Sequence, residues 1–212
     1  MSDLNESLKR LTEYVRVPKD PILTGTKDQW RAVEKKLGLS FPKDYRALFE
    51  TYGYGAFGEF SPFSAFAESD CEDESDLEFQ IRMYREGMEK QFAYNGVKYI
   101  LTDKERTFET QVSTWPDRPG LFPIARDSSS ILRAYHTKDT SSDLWTVAES
   151  EVHELVYFDT NLTIIDYLLR MIEGPMIPSQ FHNNSIYAEE YHKAKYYPFI
   201  RDGSEWGVPE SV

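Results

Sequence analysis

The feature that most limits the fold of this chain is a change in the period of its apolar residues. Up to residue 92 they recur every three or four positions; beyond residue 97 they alternate. The first spacing lines one face of a helix and the second lines one face of a strand. Leu4, Leu8, Leu11 and Val15 predict a helix over 3–16, stopped by Pro18 and Pro21. Thr26 and Gln29 stand at capping-box spacing, where hydroxyl and amide each meet a backbone group that a helix start leaves unpaired. Trp30, Val33 and Leu37 continue that helix, and Gly38 ends it. A third helix is expected from Pro42, in the first turn, to Gly53, with Tyr45, Leu48, Phe49 and Tyr52 as its stripe. Residues 54–66 read as loop and short strand, and a helix is expected over 77–92. Strand candidates follow at 97–101, 107–113, 121–125, 130–136, 143–148 and 154–159, then a helix over 161–172 closed by Gly174 and Pro175. Helices, then consecutive strands, then a helix predict an α+β fold. Its sheet is mainly antiparallel, of about five to six strands, with helices at the N-terminal side and a closing C-terminal helix. The order argues against a βαβ nucleotide-binding fold.

Charge narrows the partners. Thirty-six acidic and 24 basic side chains give a net charge of −12. Such a surface repels phosphate backbones, so direct nucleic-acid binding is not expected, and it steers basic partners. The single cysteine, Cys71, allows no internal disulfide and suits a reducing compartment. The first residues, MSDLNESLKRL, lack a signal peptide's apolar run, and no stretch approaches membrane-spanning length. A cytoplasmic location without membrane contact is the expectation.

Several motifs fail on context. Gly53-x-Gly55-x-x-Gly58 has dinucleotide spacing, but a helix precedes it and FSPF follows, so it reads as a helix-ending turn. His153-Glu154 opens a zinc-protease pattern whose second histidine is replaced by Tyr157. Cys71 lies among Asp70, Glu72 and Asp73, which disfavour a thiolate. No catalytic residue, metal ligand or cofactor is expected.

The acidic run carries more content. Glu68, Asp70, Glu72, Asp73, Glu74, Asp76 and Glu78 fall in one short segment with no Lys or Arg. These charges need water or a cationic partner. One reading is a solvated loop; the other is a surface for a basic protein, with Tyr54, Phe57 and Phe63 nearby as apolar anchors. The partner-binding candidates are therefore Glu68, Asp70, Glu72, Asp73, Glu74, Asp76, Tyr54 and Phe57.

The stretch WRAVEKKLGLSFPKDYRALFETYGYGAFGEF, residues 30–60, resembles the start of the SUKH superfamily. These are bacterial immunity proteins related to yeast regulators of cell-wall synthesis. The resemblance rests on Glu34, Leu37-Gly38, Phe41-Pro42, Tyr45, Phe49 and the glycines from Gly53 to Gly58. PGLFPIARDSSS at 119–130 is similar to the family's central strand and turn, and ELVYFDTNLTIIDYLLRMIE at 154–173 to its closing strand and helix. Phe41 stands where Leu is more usual. The resemblance covers about 20–174, so 1–19 is expected to be an N-terminal helical extension and 175–212 an aromatic-rich C-terminal one. It implies a non-catalytic protein that binds and neutralises a cognate toxin, often a nuclease. A regulatory or scaffolding member without a toxin is the alternative, and an unrecognised hydrolase the third reading.

Overall fold

The computed structural model describes residues 3–57, 60–66, 77–95, 99–103, 108–126, 132–150, 156–173 and 196–198. Helix α1 spans Leu4–Tyr14 and α2 spans Lys27–Leu37. The capping box at α2 is present: Gln29 N–H reaches Thr26 Oγ1 at 3.3 Å, and Thr26 N–H reaches Gln29 Oε1 at 2.8 Å. Gly38 ends α2 in the left-handed region, φ 67°, where a side chain is disfavoured. Helix α3 spans Lys43–Tyr52, with Pro42 one position before the first turn, as its N-cap. Proline offers no side-chain acceptor there, and the cap comes from elsewhere: Lys43 N–H donates to Asp143 Oδ1 at 3.0 Å. Gly53 closes α3 with φ 70°, and a Cβ on it would lie 2.3 Å from Ile22 O, so the position excludes any other residue.

Helices α4, Leu77–Asn95, and α5, Ile164–Glu173, complete the helical set among the described residues. Helix α5 starts later than its apolar spacing suggests. Asp159 Oδ1 accepts Asn161 N–H at 2.8 Å and Thr160 Oγ1 accepts Leu162 N–H at 3.3 Å, so side chains hold 159–162 as a turn. The short helix expected around 186–195 lies outside the described residues.

The strands are β1 (Gly55–Phe57), β2 (Ser61–Pro62), β3 (Tyr99–Asp103), β4 (Phe108–Thr114), β5 (Gly120–Arg126), β6 (Leu132–His136), β7 (Thr146–Ser150), β8 (Val156–Asp159) and β9 (Tyr196–Pro198). The six strands expected from 97 to 159 are all present. The one expected over 143–148 begins at Thr146, because Ser142–Leu144 forms a 3-10 turn. The main sheet runs β2-β5-β4-β3-β8-β7-β6, and β6 also pairs with β5. The ladder from β3 to β8 therefore closes on itself. Most neighbours are antiparallel; β3–β8 and β4–β5 are parallel. Strand β9, which no sequence pattern marks, pairs with β1 as a separate two-stranded sheet. The α+β class and the mainly antiparallel sheet agree with the sequence reading.

Strand β5 explains why alternation is weak where it is most central. Leu121, Phe122, Ile124 and Ala125 are all fully buried, because β5 is covered on both faces and reads as one apolar run. The core is a continuous aromatic network. Trp30 meets Phe41 edge-on at 5.3 Å, Phe41 stacks on Tyr45 at 5.1 Å, and Phe41 reaches Phe122 of β5 at 6.2 Å. Phe122, Trp145, Trp115 and Tyr135 continue it across the sheet. Each such pair adds about 0.5–1.5 kcal/mol beyond area burial. Helix α5 buries Ile164, Ile165, Leu168 and Leu169, and α1 packs on it with Ser7 Oγ donating to Asp166 Oδ1 at 2.7 Å.

Candidate interaction surface

The acidic run leaves and re-enters the fold at one place. Phe66 packs edge-on against Trp30 at 4.6 Å, and the fully buried Leu77 donates its N–H to Ser64 O at 3.0 Å. The two flanks of the run are thus anchored side by side, against α2. Glu78, the last acidic residue of the run, pairs with Lys36 of α2 at 2.6 Å. Glu68, Asp70, Glu72, Asp73, Glu74 and Asp76 lie outside the described residues. Of the aromatic candidates, Tyr54 is half-buried and donates its N–H to Ile22 O at 2.8 Å. Phe57 is 2% exposed and packs against Tyr52, and Phe63 is equally interior, its carbonyl accepting the Tyr45 hydroxyl at 2.7 Å.

Beside this place, the α2–α3 loop is folded by a side chain. Glu34 Oε1 accepts the Phe41 N–H at 3.0 Å and lies 3.7 Å from Arg46. Glu34 thereby closes the loop that delivers Phe41 into the aromatic core. The outer surface of this loop is one wall of an open groove of about 1090 Å³. Leu4 of α1, α3 from Lys43 to Glu50, the turn carrying Arg118 and the loop 140–145 form the rest. Asp143 crosses the groove to α3, meeting Lys43 Nζ at 2.7 Å as well as its N–H. Partial burial works against the Asp143 carboxylate, yet the two Lys43 donors hold its pKa below the ordinary range.

Two buried polar clusters have no local sequence signature. At the ends of β6, β7 and β8, Asp159 accepts from His136 Nδ1 at 2.8 Å, Thr146 Oγ1 at 2.7 Å, Lys138 Nζ at 3.2 Å and the Asn161 N–H. Burial pushes this carboxyl up, but the donors outweigh it and hold it at about 2. The Thr146 hydroxyl points its hydrogen at Asp159, not at the imidazole, so the pair clamps strand ends instead of activating a nucleophile. Between β6, β7 and α5, Tyr167 accepts from Arg133 Nε at 2.8 Å and donates to Glu149. Sequence reasoning passed over both clusters because their members lie many residues apart.

Among the described residues, no group of three His, Cys, Asp or Glu side chains is placed to hold a metal ion. No described helix is long and apolar enough to cross a membrane. No curated protein and no solved structure matches the chain. A family model does: SUKH_5, described as SMI1-KNR4 cell-wall, matches residues 1–121. That range runs from α1 to the start of β5. It holds Glu34, Phe41, Tyr45 and Phe49, whose hydrogen bond and ring contacts build the α2–α3 corner. With more than half its length matched and that corner in place, the chain belongs to the SUKH_5 family of SMI1-KNR4 proteins.

Proposed function

We propose that this protein is a non-catalytic protein-binding module of the cytoplasm, an immunity protein that occludes a toxin domain carrying a basic, nucleic-acid-binding cleft. Family membership supports a protein-binding role. The observation that carries the reading is the anchoring of the acidic run: six carboxylates between Phe66, packed on Trp30, and the buried Leu77, bonded to Ser64, with a seventh, Glu78, just beyond. Anchored flanks lower the ordering cost of a charged segment on binding. In this reading Glu68, Asp70, Glu72, Asp73, Glu74 and Asp76 stand in for phosphates and speed encounter, and Tyr54 adds contact area.

The test is co-expression with the toxic domain encoded in the neighbouring gene, scored by growth and then by affinity at low and high salt. Rescue with salt-sensitive binding is expected. The Glu72→Gln, Asp73→Asn, Glu74→Gln variant should weaken that binding about tenfold or more, mostly through slower association. Absence of rescue and binding would sink the reading for that pair. The description of the matching model as cell-wall favours a second reading, a regulatory or scaffolding protein. That reading expects binding to a host protein of wall synthesis and no effect on toxin survival.

A further inference from the structure

We infer that the groove between the α2–α3 loop and the loop 140–145 receives an acidic peptide segment of a partner protein, at a place separate from the acidic run. The inference goes beyond the proposed function and does not depend on it.

The chain as a whole carries −12, yet this groove gathers four cations, Lys35, Lys43, Arg46 and Arg118, against three carboxylates. All three carboxylates are already engaged. Glu34 holds the Phe41 N–H and lies near Arg46, Glu50 faces Arg46 at 3.5 Å, and Asp143 is held by Lys43. Two cations are left over. Among the described residues no carboxylate reaches Lys35 or Arg118, and both are exposed. Arg118 is held in place without one: its guanidinium lies 4.9 Å from the Trp115 ring centre and 5.5 Å from that of Trp145. Stacking fixes the planar group, and with one N–H on Thr140 O at 3.4 Å the remaining N–H groups are left for an acceptor.

The groove also displays the chemistry it accepts. Asp143 sits at the start of α3, on the Lys43 N–H and its ammonium, in the manner of a bound peptide carboxylate. An incoming acidic segment would extend this pattern to Arg118 and Lys35, which line the same groove. The hydroxyls of Ser40, Ser141 and Ser142 at the rim offer donors to its backbone. Cations drawn from α2, α3 and the turn at 118 fit a chain bearing several carboxylates better than a single small anion.

The experiment is fluorescence anisotropy of a labelled deca-glutamate peptide, with a Gly-Ser decapeptide and inorganic phosphate as competitors, using the full chain at two salt concentrations. Saturable binding is expected, weaker at high salt and not displaced by either competitor. Lys35→Glu with Arg118→Glu should weaken it at least about tenfold. Because Arg118 contacts two tryptophans, Lys35→Glu alone serves as the variant that leaves packing untouched, and it should weaken binding several-fold. The Glu72→Gln, Asp73→Asn, Glu74→Gln variant should retain binding, which separates this site from the acidic run. Absence of saturable binding, equal binding by the Lys35 variant, or displacement by millimolar phosphate overturns the proposal, the last by pointing to a small-anion site.

Discussion

Two buried carboxylates in this molecule behave in opposite ways. Asp44 lies where α3 meets α5, and its Oδ2 accepts the Ile164 N–H at 2.7 Å. Asp159 lies at the strand-end clamp. Both are withdrawn from water, yet the Asp44 carboxyl is pushed up to about 6 and the Asp159 carboxyl is held at about 2. At Asp44 the loss of hydration outweighs a few backbone donors, and the nearby Asp166 carboxylate adds to the shift. At Asp159 a histidine, a hydroxyl, a backbone N–H and an ammonium more than replace the water lost. Burial alone therefore does not decide the protonation state of a carboxyl; the number and charge of its donors do. The two sites also differ in purpose. Asp44 caps one helix from another, and Asp159 ties three strand ends to the turn before α5.

The strongest way to break this contrast is Asp159→Ala. It leaves His136, Thr146 and Lys138 without their shared acceptor and should cost about 3–5 kcal/mol in chemical denaturation at pH 7. A cost below about 1 kcal/mol would mean the clamp does not hold the sheet together. The pH dependence of stability sharpens the contrast. Asp44 binds its proton more tightly folded than unfolded, so its effect favours folding as pH falls through about 6 towards the ordinary 3.8. Asp159 acts in reverse. Its stabilisation is full above 3.8 and is lost as pH falls towards about 2. Each arm is on the order of 2–3 kcal/mol. Asp44→Asn should flatten only the upper arm, and Asp159→Asn only the lower one, in urea midpoints measured from pH 2 to 7.

A smaller effect separates the capping role of Asp44 from its charge. Asp44→Ala removes the acceptor for Ile164 N–H and should cost about 1–2 kcal/mol more than Asp44→Asn at pH 7. Equal stabilities would place the capping with Thr163 Oγ1, which accepts the Asp166 N–H of the same helix at 3.3 Å. The smallest change is Thr146→Val, which deletes one donor to Asp159 while keeping the side-chain shape. It should cost about 1 kcal/mol and move the Asp159 carboxyl up towards the ordinary range, read by NMR titration.

The division between what was legible in the sequence and what was not follows the same contrast. Helix α2 could be read to the residue, because Thr26, Gln29 and Gly38 act on backbone groups within three or four positions. The six main strands and α5 were legible from apolar spacing, with errors where local polar side chains shape the backbone, as at 159–162 and 142–144. The Asp44–Ile164 bond spans 120 positions and the Lys43–Asp143 cap spans 100. No window of sequence holds both partners of either pair, so the groove and the junction were invisible. The pairing of β9 with β1 was missed for a related reason: three residues, YYP, carry no period of their own. Phe57, a candidate anchor because it lies near the acidic run in the sequence, is an interior side chain packed against Tyr52, its N–H donating to Phe60 O at 2.8 Å.

The closed ladder has a consequence for how this protein meets others. Each described strand from β3 to β8 already has a neighbour on both sides. Away from the β4–β5 seam, which pairs only Ser113 with Gly120 and Thr114 with Leu121, a visiting chain therefore finds no open row of amides on these described strands. Recognition at the rest of the ladder is left to side chains and loops, which can be exchanged for others without disturbing the hydrogen bonds of the scaffold. A body built this way can change its partner while keeping its framework.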